Sequence, residues 1–152
     1  MTSFKLTLNN LFDFLTKDKY LPQLQKETSQ IYLLLKTSSL ELALFFRIIS
    51  NAELLQIVTY LPIKVNEECK NDLARLLLKL NNDIDMPGFS LNEPSNLVFF
   101  RLVLPCTKKM VCPLMLKQFI DISTNAVVTF IDSIRSISSG KITFDSLMKK
   151  NL

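Results

Sequence analysis

The residues of this chain whose types could carry out chemistry are three cysteines, Cys69, Cys106 and Cys112, with scattered carboxylates and lysines around them. Cys106 and Cys112 flank Lys108 and Lys109, cations able to lower a thiol pKa, so a redox pair is one reading. Reduced thiols are the preferred reading: the number is odd, no CxxC spacing occurs, and Cys69 lies on an apolar stripe. Histidine is absent, which removes the usual general base, the Ser-His and Cys-His nucleophile pairs and the commonest transition-metal ligand. With 2 glycines in the whole chain, no Gly-rich phosphate loop can be assembled. A carboxylate or thiol mechanism stays formally open, but the expectation is a protein that is not an enzyme, with no catalytic residue, cofactor or metal.

Composition narrows the partners. The net charge is +4 with a pI near 9.0, yet charged residues make up 21% and the basic ones are dispersed. Such a bias suits an acidic partner better than a phosphate backbone, which needs a concentrated patch. Nucleic-acid binding through Lys108, Lys109, Lys117, Lys141, Lys149 and Lys150 is therefore not expected. No signal-peptide pattern opens the chain, and its longest apolar stretch, Leu40 to Ile49, is interrupted by Glu41 and Arg47. A soluble cytoplasmic protein without a membrane span is the simplest expectation. At 152 residues with 48% hydrophobic residues, the chain suits one domain, residues 1–140, followed by a tail, residues 141–152.

The elements follow from periodicity. Cys69, Leu73, Leu76, Leu77 and Leu80 share one helical face, which predicts a helix from Asn66 to Asn82. Asn66 is placed to cap it, Glu67 and Glu68 to favour its first turn, and Asn81 or Asn82 to end it in a left-handed conformation. A Pro87-Gly88 turn, a short strand (Phe89, Leu91), a tight turn (Glu93 to Asn96) and a strand from Leu97 to Leu104 follow. Val98, Phe100, Leu102 and Leu104 alternate there with Leu97, Phe99 and Val103, interrupted by Arg101; a strand apolar on both faces is covered on both sides.

Upstream, Leu8, Leu11, Phe12 and Leu15 predict an amphipathic helix over Leu6 to Tyr20, ended by Pro22. Thr28 to Leu61 holds three alternating apolar segments and reads as an antiparallel meander. The Leu40 to Leu61 part also fits a helix, because Ser50 and Glu53 form a capping-box pattern and Leu40 to Phe46 is rich in helix formers. Downstream, Pro105 to Cys112 reads as a loop, and Pro113 opens a long helix striped by Leu116, Phe119, Ile120, Val127, Phe130, Ile131 and Ile134, with Gly140 as its C-cap. In the tail, Phe144, Leu147 and Met148 form a short amphipathic turn that either folds back or docks on a partner. One internal echo stands out: Phe45-Phe46-Arg47 and Phe99-Phe100-Arg101. Two similar strand-to-helix halves or shared sheet chemistry would each produce it.

The segments Asn71-Asp72-Leu73-Ala74-Arg75-Leu76-Leu77-Leu78-Lys79-Leu80-Asn81, Met86-Pro87-Gly88-Phe89-Ser90-Leu91 and Leu97-Val98-Phe99-Phe100-Arg101-Leu102-Val103-Leu104-Pro105 resemble the YbjN-like family, which shares its fold with the small chaperones of bacterial type III secretion. The resemblance implies an α+β fold, an antiparallel sheet with helices packed on it in the order α-β-β-β-α-β-β-α. It also implies a bacterial, virulence-linked cytoplasmic chaperone, a homodimer that holds an extended segment of a secreted effector or other client. Two departures are visible: secretion chaperones of this fold tend to be acidic, whereas this chain is basic, and the Glu93-Pro94-Ser95-Asn96 turn lacks the usual Gly, so a longer or differently shaped turn is expected.

A sheet with helices on one face leaves the other for a partner. Phe45, Leu97, Phe99, Arg101 and Val103 are the residues expected on that partner-binding or dimer face, lying under a client segment, under a second copy, or near an edge that a client strand joins. The alternatives are a regulatory or scaffold subunit that binds a folded partner, and a chain whose own helices cover both faces.

Overall fold

The computed structural model describes residues 2–150. Its main sheet has six antiparallel strands, β2 (Gln23–Gln25), β3 (Gln30–Lys36), β4 (Glu41–Ile49), β5 (Leu54–Tyr60), β6 (Phe89–Asn92) and β7 (Leu97–Pro105), in the order β2-β3-β4-β5-β7-β6. A second ribbon pairs β1 (Phe4–Lys5) with β8 (Met110–Val111). The helices are α1 (Leu8–Lys17), α2 (Lys70–Asp83), α3 (Pro113–Ser138) and α4 (Phe144–Lys150). The fold is α+β, and α1-β3-β4-β5-α2-β6-β7-α3 is the expected order, with three short strands and a terminal helix added.

The core explains that arrangement. In each long strand one parity is buried: Ile31 and Leu33; Leu42, Leu44 and Phe46; Leu55, Ile57 and Thr59; Val98, Phe100, Leu102 and Leu104. Facing them are Leu11 and Leu15 of α1, Leu73, Leu76, Leu77 and Leu80 of α2, and Leu116, Ile120, Val127, Ile131 and Ile134 of α3. Burying each of the aliphatic and Phe side chains among these contributes about 1.5–3 kcal/mol, so the helices are driven to this single face. The chain's own helices thus cover one side of β7, where coverage of both was expected; its other side is exposed at Leu97, Arg101, Val103 and Pro105 and half-buried at Phe99.

The meander is settled as strands. Between β4 and β5, Ser50, Asn51 and Ala52 all adopt left-handed backbone with φ of 50, 53 and 64, which makes a turn and forbids the helix that the Ser50–Glu53 pattern suggested. Several boundaries shift. Thr7, whose hydroxyl accepts from the Asn10 N–H at 3.2 Å, starts α1 later than expected, and Lys19 with φ 68 follows its end. The segment expected as a loop after Leu104 holds the end of β7, a 3-10 turn at Thr107–Lys109 and β8.

The two ends of α2 are corrections. A 3-10 turn, Glu67–Cys69, precedes it, and Asn66 makes no side-chain cap; its Nδ2 instead donates to the Ser139 carbonyl at 3.2 Å, tying α2 to the end of α3. At the other end α2 runs on to Asp83, with Ile84 extended rather than left-handed. Asn81 is engaged elsewhere: its Oδ1 accepts from the N–H groups of Gly88 (3.2 Å) and Phe89 (2.9 Å), and its Nδ2 donates to the Phe89 carbonyl at 2.9 Å. Glycine is required at 88 because a Cβ there would collide with the Arg101 carbonyl oxygen. In the Glu93–Asn96 turn, Asn96 takes the left-handed position with φ 56, doing what a Gly would do, while the Asn92 Oδ1 accepts from the Ser95 N–H.

The tail folds back. The Phe144 N–H donates to Asp72 at 2.9 Å, Arg75 pairs with Asp145 at 3.1 Å, and the same guanidinium lies 4.2 Å over the Phe144 ring, so α4 rests on α2. Pro113 and Gly140 (φ 78) bracket α3 as expected. By length and mean hydropathy α3 is long and apolar enough to cross a membrane, but one stripe of it is buried against the sheet and α2 while Asp121, Asn125, Asp132 and Arg135 lie exposed on the other side.

Candidate functional site on the helix-free face

Every second residue of the main sheet points away from the helices, and these residues form rows across the strands. Tyr32, Phe45, Val58 and Arg101 are successive register partners. The next row is Leu34, Ala43, Tyr60, Phe99 and Ser90. An aromatic strip runs diagonally through both: Tyr32 stacks on Phe45 with centroids 5.5 Å apart, Phe45 meets Tyr60 edge-on at 5.4 Å, and Tyr60 lies 6.0 Å from Phe99. These spacings are in the favourable range for aromatic pairs. The Arg101 guanidinium stands 5.9 Å from the Phe99 ring centre, within cation–π reach.

The structure places Phe45, Leu97, Phe99, Arg101 and Val103 on the helix-free side of the sheet. Phe45 and Phe99 are half-buried, shielded only by their neighbours in the sheet; Leu97 is 46% and Val103 37% exposed, and Arg101 is exposed. Tyr32, Leu34, Arg47 and Tyr60 share the face and were not singled out from sequence. The signal was present: each holds the alternate parity to a buried neighbour, and Arg47 completes the first Phe-Phe-Arg triplet. β4 and β7 both pair with β5 in the antiparallel sense. The two triplets therefore flank β5 one row out of step, each placing its first Phe and its Arg on this face.

The sheet edges are less open than the face. Phe89 of β6 has its outward N–H and C=O taken by Asn81, which blocks strand addition at that point. The opposite edge is β2, three residues long and preceded by Pro22.

The chemically reactive candidates lie elsewhere and are subdued. Burial pushes the Cys106 thiol up, only partly offset by a backbone hydrogen bond at Leu55, and burial, then Glu68 and Asp72, pushes up Cys69. Both are buried and Cys112 is exposed, all three as free thiols. A redox pair needs a thiolate, and Cys106 is shifted in the opposite direction despite Lys108 and Lys109 nearby. A groove of about 510 Å³ beside Cys106, lined also by Ser50, Glu53, Leu54, Thr107 and Lys108, therefore has no activated nucleophile at Cys106. Among the described residues no three His, Cys, Asp or Glu side chains gather to hold a metal. Of the lysines considered for nucleic acid, Lys117 pairs with Asp18 at 3.0 Å, and the others fall on the Thr107–Lys109 turn, the α3–α4 connection and α4.

A family model described as "YbjN: Putative bacterial sensory transduction regulator" matches residues 7–136. No curated protein and no solved structure matches the chain.

Proposed function

The chain belongs to the YbjN family, and on that premise we propose that it acts without catalysis, as a cytoplasmic protein-binding module that holds a segment of another polypeptide against its helix-free sheet face. The observation that carries this reading is the Tyr32–Phe45–Tyr60–Phe99 strip, four half-buried aromatic rings on a face that no helix among the described residues covers. An exposed apolar surface of this extent is a feature of interaction sites. A small chaperone of the secretion type, to which the sequence bears resemblance, would use such a face to keep a client extended.

Co-purification from the source bacterium with wild-type protein and with a Phe45→Asp/Phe99→Asp variant tests the reading. The expected result is one partner retained by wild type and lost by the variant at unchanged circular dichroism. A partner held equally by both would overturn it.

A second reading is favoured by the family description itself: a regulatory subunit that binds a folded partner. Hydrogen exchange of the bound partner separates the two, since a client's amides stay unprotected outside the contact and a folded partner's do not.

A further inference from the structure

The open face carries a sign of charge as well as apolar area. Along the six strands of the main sheet the charged side chains are Lys36, Glu41, Arg47 and Arg101, and by strand parity all four lie on the helix-free side. Lys36 and Glu41 are cross-strand partners at the end of the β3–β4 hairpin. Arg47 and Arg101 instead sit opposite the uncharged Gln56 and Val58, and, like Lys36 and Glu41, they take part in no ion pair among the described residues. Both belong to Phe-Phe-Arg triplets: the Arg101 guanidinium lies 5.9 Å from the Phe99 ring centre, and Arg47 is two residues from Phe45 on the same face.

A second copy laid on this face would bring two more arginines and, as its only strand carboxylate, a Glu41 already set opposite Lys36. Like charges brought together across an interface are costly. From this we infer that the occupant is an acidic, apolar, extended segment of a different protein; the inference rests on the reading of this face as a protein-binding surface. Arg47 and Arg101 lie two strands and one row apart, about 12 Å from strand spacing and rise. An extended chain covers about 13 Å in four residues, so the matching segment has carboxylates at positions i and i+4 with aromatic or aliphatic side chains between them.

Three dye-labelled, end-capped peptides test this with the full chain: one with Glu at i and i+4 and Phe and Leu between, its Gln counterpart and its Lys counterpart. Binding is read by fluorescence anisotropy, for wild type and for an Arg47→Glu/Arg101→Glu variant whose exposed side chains leave the core untouched. The Glu peptide is expected to bind wild type about tenfold tighter than the Gln peptide, to weaken as salt is raised, and to lose to the Lys peptide on the variant. Equal binding of Glu and Gln peptides, abolished by Phe45→Asp, would overturn the acidic specificity and leave the protein-binding reading standing. A stable dimer by light scattering that Phe45→Asp dissociates, with no peptide bound, would make the second copy the occupant and overturn the inference. A monomer that binds none of the peptides would remove the reading of the face as well.

Discussion

Cys106 is 1% exposed and directs its Sγ at the Leu104 carbonyl oxygen at 3.5 Å, while Cys112, at the mouth of α3, is exposed. Native protein at pH 8 should therefore lose one thiol quickly to iodoacetamide, mapped to Cys112, and release Cys69 and Cys106 to the reagent only on unfolding. Rapid labelling of Cys106 would contradict its buried, protonated state. The sign of the pH effect follows from the same shift. Folding holds these thiols above their ordinary value of 9.0, so their contribution to stability is full below that pH and is lost as the pH rises through the folded values. At this scale the sequence was informative about Cys69, whose spacing with Leu73 and Leu76 marks a buried stripe. It was silent about which of Cys106 and Cys112 is buried, because both lie outside any periodic element.

Asn81 links two elements, the last turns of α2 and the start of β6, through three hydrogen bonds to backbone groups of Gly88 and Phe89. In Asn81→Ala those groups lose their partners in a half-buried site, and a loss of about 1–3 kcal/mol is expected, read as a lower denaturation midpoint at unchanged slope. A change near zero would show that water replaces the amide without cost. The helix α4 is held by a weaker link. Arg75 and Asp145 are 52% and 73% exposed, so their pairing contributes at most about 1 kcal/mol. Arg75→Ala should speed hydrogen exchange of residues 144–150 and leave the amides of β4 and β5 as they were; equal acceleration in both would place α4 inside the cooperative core. The periodicity of α1 and α3 was legible because each repeats one stripe over ten or more residues, whereas Leu40 to Leu61 fitted strand and helix alike because both parities of β4 are apolar. β1, β2 and β8 have two or three residues each, too few to show a period.

On the scale of the whole molecule, one face of the sheet is jacketed by helices and the other carries none among the described residues. An anionic apolar dye such as anilinonaphthalene sulfonate should fluoresce on the native protein, and a Phe45→Ser/Phe99→Ser variant should lose most of that signal at unchanged circular dichroism. Undiminished fluorescence would mean that the dye's apolar surface lies on the helical side. The helical stripes of α1, α2 and α3 and the alternation of β7 were set by the sequence alone, since period is a local property, whereas the strand state of residues 40–61 was settled by the left-handed turn at Ser50, Asn51 and Ala52. The outward parity of β4 and β7 was expected from Phe45, Leu97, Phe99, Arg101 and Val103; that α1, α2 and α3 all gather on the opposite side was decided only by the tertiary structure. Both parities are apolar there, and α1, α2 and α3 settle on the side of Leu42, Leu44, Phe46, Val98, Phe100 and Leu102, which lacks the charges of Glu41, Arg47 and Arg101. The same long-range packing turned Asn66 and Asn81 from helix ends into ties between elements, because a side-chain amide bonds whatever backbone the fold brings within reach.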